Sequence, residues 1–201
     1  MKVSKQQSAQ NRQALIDAAG RMFRERGIDG VGVAEICKLA GLTHGALYAQ
    51  FGSKEGLAAQ ALADNLRRKH ARMTAPIDGR ERTLREYLDY YLSSYHRDNL
   101  GEGCSMAALA SEIGRQGEAI SARFTDGFEQ LVEAVDRSLG DRGSAADRRQ
   151  RALAVVAAMI GGIAAARATA KANPTLSDDI LVALRRVLGE LGPESIRADP
   201  D

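Results

Sequence analysis

Tryptophan is absent from this 201-residue chain, and Tyr and Phe together number nine. Cysteine is nearly absent too: Cys37 and Cys104 stand in different regions, with neither a disulfide framework nor metal-ligand spacing around them. That excludes a disulfide-stapled scaffold or a structural zinc module and fits a reducing cytoplasm. No apolar run reaches the length of a bilayer span. The longest, ALAVVAAMIGGIAAA at residues 152–166, has fifteen residues and two glycines. It reads as a buried helix of a soluble protein with no membrane partner. The N-terminal MKVSKQQSAQNRQ lacks the apolar core of a signal peptide. No segment alternates polar and apolar residues over strand length, so a sheet-based fold is excluded. There is no internal repeat and no low-complexity segment. No Ser/His/Asp or metal-ligand constellation stands out. The HRDN at residues 96–99 has none of the partner motifs that a kinase catalytic loop needs. The expectation is therefore no catalytic residue, no metal and no cofactor.

What the chain does have is an uneven charge distribution. The formal net charge is only +2, but residues 1–75 carry 12 Lys and Arg against 6 Asp and Glu. The remaining 126 residues carry 16 against 20. A basic first third on a mildly acidic remainder points to an anionic partner for the first part alone.

Helical spacing appears almost throughout. The predicted fold is all-α, with about nine helices, over residues 10–26, 33–40, 43–50, 53–74, 81–96, 105–114, 117–139, 146–171 and 177–191. Ala14, Leu15, Ala18, Ala19, Met22 and Phe23 form one stripe of the first. Gly41 is placed for a left-handed cap on the second, Thr43 caps the third, Ser53 the fourth and Ser177 the last. The tail from Gly192 is polar and is expected to fray.

Two short helices joined by a turn containing Gly41 make a helix-turn-helix, whose second helix enters the major groove of DNA. Leu47 and Phe51, four residues apart, anchor that second helix. Its other face carries Thr43, His44, Tyr48 and Gln50, separated by Gly45, Ala46 and Ala49. The small residues allow close approach to a surface, and the polar ones suit phosphates or base edges. Lys54 stands in the first turn of the next helix, where a bound anion would also be favoured.

On these residues the chain resembles the TetR family of bacterial transcriptional regulators. The resemblance covers residues 10–57. The segment VAEICKLAGLTHGALYAQFGSKEGL carries the family's turn glycine, its Tyr-x-x-Phe pair and the following Lys-Glu. It departs from the pattern at Gly32, where Ser or Thr is usual, and at Cys37, where a smaller residue is usual. The resemblance implies that Tyr48 and Lys54 contact phosphate. It further implies that Thr43, His44, Gly45, Ala46, Ala49 and Gln50 face the groove or its walls. It also implies residues 1–56 as the DNA-binding domain, and residues 57–201 as a helical domain for effector binding and dimerisation.

The remainder carries signals of its own. Six of the nine aromatics fall between Tyr87 and Phe128. Tyr87, Tyr91, Tyr95, Cys104, Met106, Phe124, Phe128 and Met159 are the candidates to line a largely apolar effector site; ordinary core is the competing assignment. Cys104 follows GEG at a helix start, a place that favours a thiolate, and is otherwise an inert cysteine. Residues 146–171 and 177–191 are apolar on more sides than one subunit covers, so they are expected to form a homodimer interface. The expected function is a transcriptional regulator, a repressor released from a palindromic operator by a small molecule. The helix over residues 53–74 would carry the coupling. An architectural DNA-binding protein without an effector, and an enzyme of unknown type, remain open at this point.

Overall fold

Ser4 sets the start of the first helix, because its Oγ accepts the Gln7 N–H at 3.1 Å. The computed structural model describes residues 4–140 and 143–193. The tail beyond residue 193, expected to fray, lies outside them. From Ser4, α1 (Lys5–Arg26) runs five residues earlier than its apolar stripe predicts. It is followed by α2 (Val33–Ala40), α3 (His44–Phe51), α4 (Lys54–Thr74) and α5 (Leu84–Tyr91). Then come α6 (Ser94–Asp98), a 3-10 turn at Leu100–Glu102, α7 (Ser105–Ile113), α8 (Glu118–Ser138), α9 (Ala145–Ala170) and α10 (Pro174–Gly189). The described residues contain no strand beyond an isolated bridge between Ile77 and Arg80. The all-α expectation holds.

Two further differences from the sequence reading have a visible cause. The single helix expected over residues 81–96 is divided into α5 and α6. Leu92 ends α5, and its carbonyl accepts from the Arg185 guanidinium. Ser93 then starts α6 by accepting the His96 N–H at 3.1 Å. The last helix begins at Pro174 rather than at Ser177. Asn173 caps it, its Oδ1 accepting the Leu176 N–H at 3.0 Å, and proline suits the first helical position. Ser177 is instead buried, and its hydroxyl donates to the Ala166 carbonyl at 2.7 Å.

The chain packs into two compact units. The first comprises residues up to Lys69 together with Asn99–Gly127. Its core holds Leu15, Ala19 and Phe23 of α1, Ile36 and Cys37 of α2, Leu47 of α3, and Leu57, Leu62 and Leu66 of α4, all buried. Polar side chains tie α7 and the turn before it to this core. The Arg24 Nε donates to the Gly101 carbonyl at 2.8 Å. The buried Asn65 Oδ1 accepts from the Ser105 N–H at 3.0 Å and from its hydroxyl at 2.9 Å. The Glu112 carboxylate accepts the Asp29 N–H at 2.9 Å.

The second unit comprises His70–Asp98 and the residues from Phe128 onward. Here α9 and α10 lie side by side. Gly162 lies at their contact: a Cβ at that position would sit 2.1 Å from Leu184 Cδ1, which would have to move. His96, Arg97 and Asp98 of the HRDN stretch join this packing as structure. Arg97 pairs with Asp98 at 2.6 Å and with Asp178 of α10 at 2.5 Å, and donates to Ser177 at 2.9 Å. In return, Arg167 of α9 donates to the carbonyls of His96 and Arg97. By length and composition α9 would pass for a membrane span. Its Ala152, Val155, Val156, Met159, Ile160, Gly162, Ile163 and Ala166 are nevertheless buried by the chain itself.

Candidate nucleic-acid interface

The geometry begins at the turn between α2 and α3. Gly41 takes φ 66° and ψ 31°, a left-handed cap that side chains resist. Its N–H bonds to the Lys38 carbonyl at 3.2 Å, and the Leu42 N–H reaches the Cys37 carbonyl at 2.9 Å. The chain is thereby reversed within three residues. Thr43 then caps α3, its Oγ1 accepting the Ala46 N–H at 3.2 Å. Leu47 is wholly buried and is the pivot of this eight-residue helix.

The predicted contact residues lie together on the side away from Leu47. Thr43, His44, Gly45, Tyr48 and Ala49 are exposed, while Ala46 and Gln50 are half-buried. Tyr48 is 50% exposed, a large share for an aromatic ring. No acidic residue stands in the first turn of α3 and no basic one in its last. Lys54, half-buried, opens α4 behind Ser53, whose Oγ accepts the Gly56 N–H at 2.9 Å. Gln50 turns partly back: its Nε2 approaches the Ser8 carbonyl of α1 at 3.5 Å.

The nearby α2 tolerates the glycine at its cap. Glu35 accepts the Gly32 N–H at 3.1 Å, which is the half of a capping box that needs no cap side chain. Arg26 donates to the same carboxylate at 2.9 Å. The Arg26 bond and then the Gly32 N–H hold the Glu35 carboxyl below the usual range. Glu35 thus stays ionised but paired. Burial pushes the Cys37 thiol up and keeps it a core residue. Burial likewise lowers the Arg24 guanidinium, chiefly through desolvation.

Arg12 belongs to this surface without any signal in the sequence. Its Nη1 donates to the Gln50 carbonyl at 3.1 Å, and its guanidinium lies 4.4 Å above the Phe51 ring.

The effector candidates divide between the units. Tyr87, Tyr91 and Met159 are buried in the second unit, and Phe128 is half-buried there. Burial raises the Tyr87 phenol. Tyr91 meets His96 edge-on, with ring centroids 4.6 Å apart. Tyr95 is 70% exposed, unlike the buried Tyr87 and Tyr91. Cys104 and Met106 are buried in the first unit and Phe124 is half-buried there. Cys104 is the cap residue of α7, as its position after GEG predicts. Among the described residues no cluster of His, Cys, Asp or Glu is placed to hold a metal.

The expected dimer surface also resolves into faces. On α9, Leu153, Ala154, Ala157, Gly161, Ala164, Ala165 and Ala168 are exposed. On α10, Leu176, Val182 and Val187 are exposed. Gly162, inside the range expected for the interface, faces inward to Leu184 and Leu92 instead.

Two family models match the chain. The model for bacterial regulatory proteins of the tetR family matches residues 15–61. That for the C-terminal domain of LmrA/YxaF-like transcriptional regulators matches residues 81–177. The HTH-type transcriptional regulator LmrA of Bacillus subtilis is 28% identical over 175 residues, covering 83% of this chain and 91% of that protein. Among solved structures, a TetR-family transcriptional regulator from Cytophaga hutchinsonii aligns with a TM-score of 0.74 at 22% identity, covering 97% of this chain and 100% of its own. Reduced Escherichia coli NemR aligns with a TM-score of 0.71 at 20% identity, covering 88% and 95%. At those identities the structural likeness is one of fold.

Proposed function

Because this chain belongs to the TetR family of bacterial DNA-binding transcriptional regulators, we propose that it acts in the cytoplasm as a repressor on a palindromic operator and is released by a small molecule. The observation that carries the operator reading is the exposed face of α3. It presents Thr43, His44 and Tyr48 among small residues, with Lys54 opening the next helix. Side chains of that kind reach base edges and phosphates only where the backbone comes close, and Gly45 and Ala49 leave room for it.

A palindrome requires two copies. The apolar faces of α9 and α10 support a homodimer, since Val182 and Val187 stand 55% and 51% exposed in the single chain. Burying such surface stabilises association by about 25 cal/mol per Å² before the entropic cost of docking. For the effector we assign the second unit's buried aromatics, Tyr87 and Tyr91, with Met159 and Phe128. A mostly apolar molecule with one or two polar groups suits them.

The test of the DNA contacts uses Tyr48→Phe and Lys54→Ala in the full chain. Phosphate contacts carry little sequence information, so both variants are expected to weaken binding to operator and to unrelated duplex alike. Each should lower affinity by about three- to tenfold at moderate salt, and Lys54→Ala should reduce the salt slope by about one. Wild-type affinity in both variants would remove these roles.

A further inference from the structure

We infer that Arg12 is a positioning residue for the recognition helix, fixing the angle at which α3 presents its reading face. The inference rests on the DNA-binding reading and adds to it a residue outside the helix-turn-helix itself. α3 is short, and only Leu47 within it is fully buried. One such anchor leaves a helix free to rock about it. The N-terminal end is held by the Gly41 turn and the Thr43 cap. The C-terminal end needs a different restraint, because the last carbonyls of a helix have no partner within it. A cation there is favoured by the helix dipole, yet α3 has no basic residue in its last turn.

Arg12 supplies that cation from α1. Its guanidinium does two things at once: it donates to the Gln50 carbonyl at 3.1 Å and covers the Phe51 ring at 4.4 Å. The planar fork is suited to both, whereas a lysine ammonium is a point charge that stacks poorly. The Gln50 amide reaching toward Ser8 draws the same end of α3 to the same helix. With the Gly41 turn at one end, Leu47 at the centre and Arg12 at the other end, α3 is held at three places and its orientation is fixed.

The test compares wild type, R12K, R12M and F51L, all full length. Two probes are used: the duplex that wild type selects from a random pool, and poly(dI-dC). Helicity and thermal midpoint are recorded for each variant. R12K and F51L are each expected to lower affinity for the selected duplex by about tenfold. Affinity for poly(dI-dC) should stay within about twofold and the salt slope should be unchanged. The double variant R12K/F51L should be little worse than either single one, because both remove the same contact. Should an Arg12 variant fail to fold, F51L keeps the same readout. A phosphate role for Arg12 would show otherwise: R12K would bind both probes as wild type does, and R12M would lose about one from the salt slope. That result overturns the inference, as does wild-type discrimination in R12K and F51L. If wild type selects no sequence at all, the operator reading fails and Arg12 falls with it; if it selects one that R12K binds equally well, only Arg12 falls.

Discussion

Asn65 joins three polar groups in the interior of the first unit. It is buried, and one carboxamide serves two donors of Ser105 while its Nδ2 reaches the Gly103 carbonyl at 3.4 Å. Asn65→Ala strands a buried N–H and a buried hydroxyl and opens a small void. The expected loss is about 2–4 kcal/mol. Urea denaturation checks it: the midpoint should fall with the slope unchanged, and a loss below about 0.5 kcal/mol would contradict this role. At this scale the sequence was legible where chemistry is local. Thr43 and Ser53 cap because their side chains reach a backbone N–H three residues on, and Gly41 ends α2 because only a left-handed residue fits. Asn65 and Arg12 were not legible, since their partners lie 40 and 38 residues away. Ser177 was misread for a related reason. Two capping signals stand four residues apart, and the helix takes the first because Pro174 tolerates its opening turn.

Among the elements, α9 and α10 bear the dimer proposal, and the two adjacent glycines separate its energetics from folding. Gly161 is exposed, with nothing within 4 Å of a Cβ built there. A Cβ on Gly162 would meet Leu184 at 2.1 Å. Gly161→Glu should therefore leave the subunit folded and shift it to monomer, by placing unpaired carboxylates in an apolar seam. Gly162→Glu should instead unfold the second unit. Sedimentation with circular dichroism tells them apart. A Gly161→Glu protein that sediments as the wild-type dimer would contradict the assigned face. Periodicity made α9 visible in the sequence but could not show which side the chain covers itself. The break between α5 and α6 was hidden in the same way. YYLSSYH contains no glycine or proline, and the interruption is carried by Arg185 on the Leu92 carbonyl and by Ser93 capping α6.

For the molecule as a whole, helical spacing was enough to read an all-α chain, and the charge imbalance with the Gly41–Leu57 motif to read a regulator with a DNA-binding N-terminal part. The effector assignment is harder to read, because buried tyrosines at helical spacing serve a solid core as well as a binding site. Under the proposed release, an effector has to favour the DNA-free conformation. A hundredfold loss of operator affinity requires about 2.7 kcal/mol of differential binding between the two states. The central claim, however, is that two α3 helices in a symmetric dimer read DNA together. Selection of bound duplexes from a random pool by the full-length protein tests this most directly. The account predicts an inverted repeat whose half-site centres lie about 34 Å apart or a small multiple of that. Recovered sequences with no shared pattern, or with a single unpaired half-site, would contradict it.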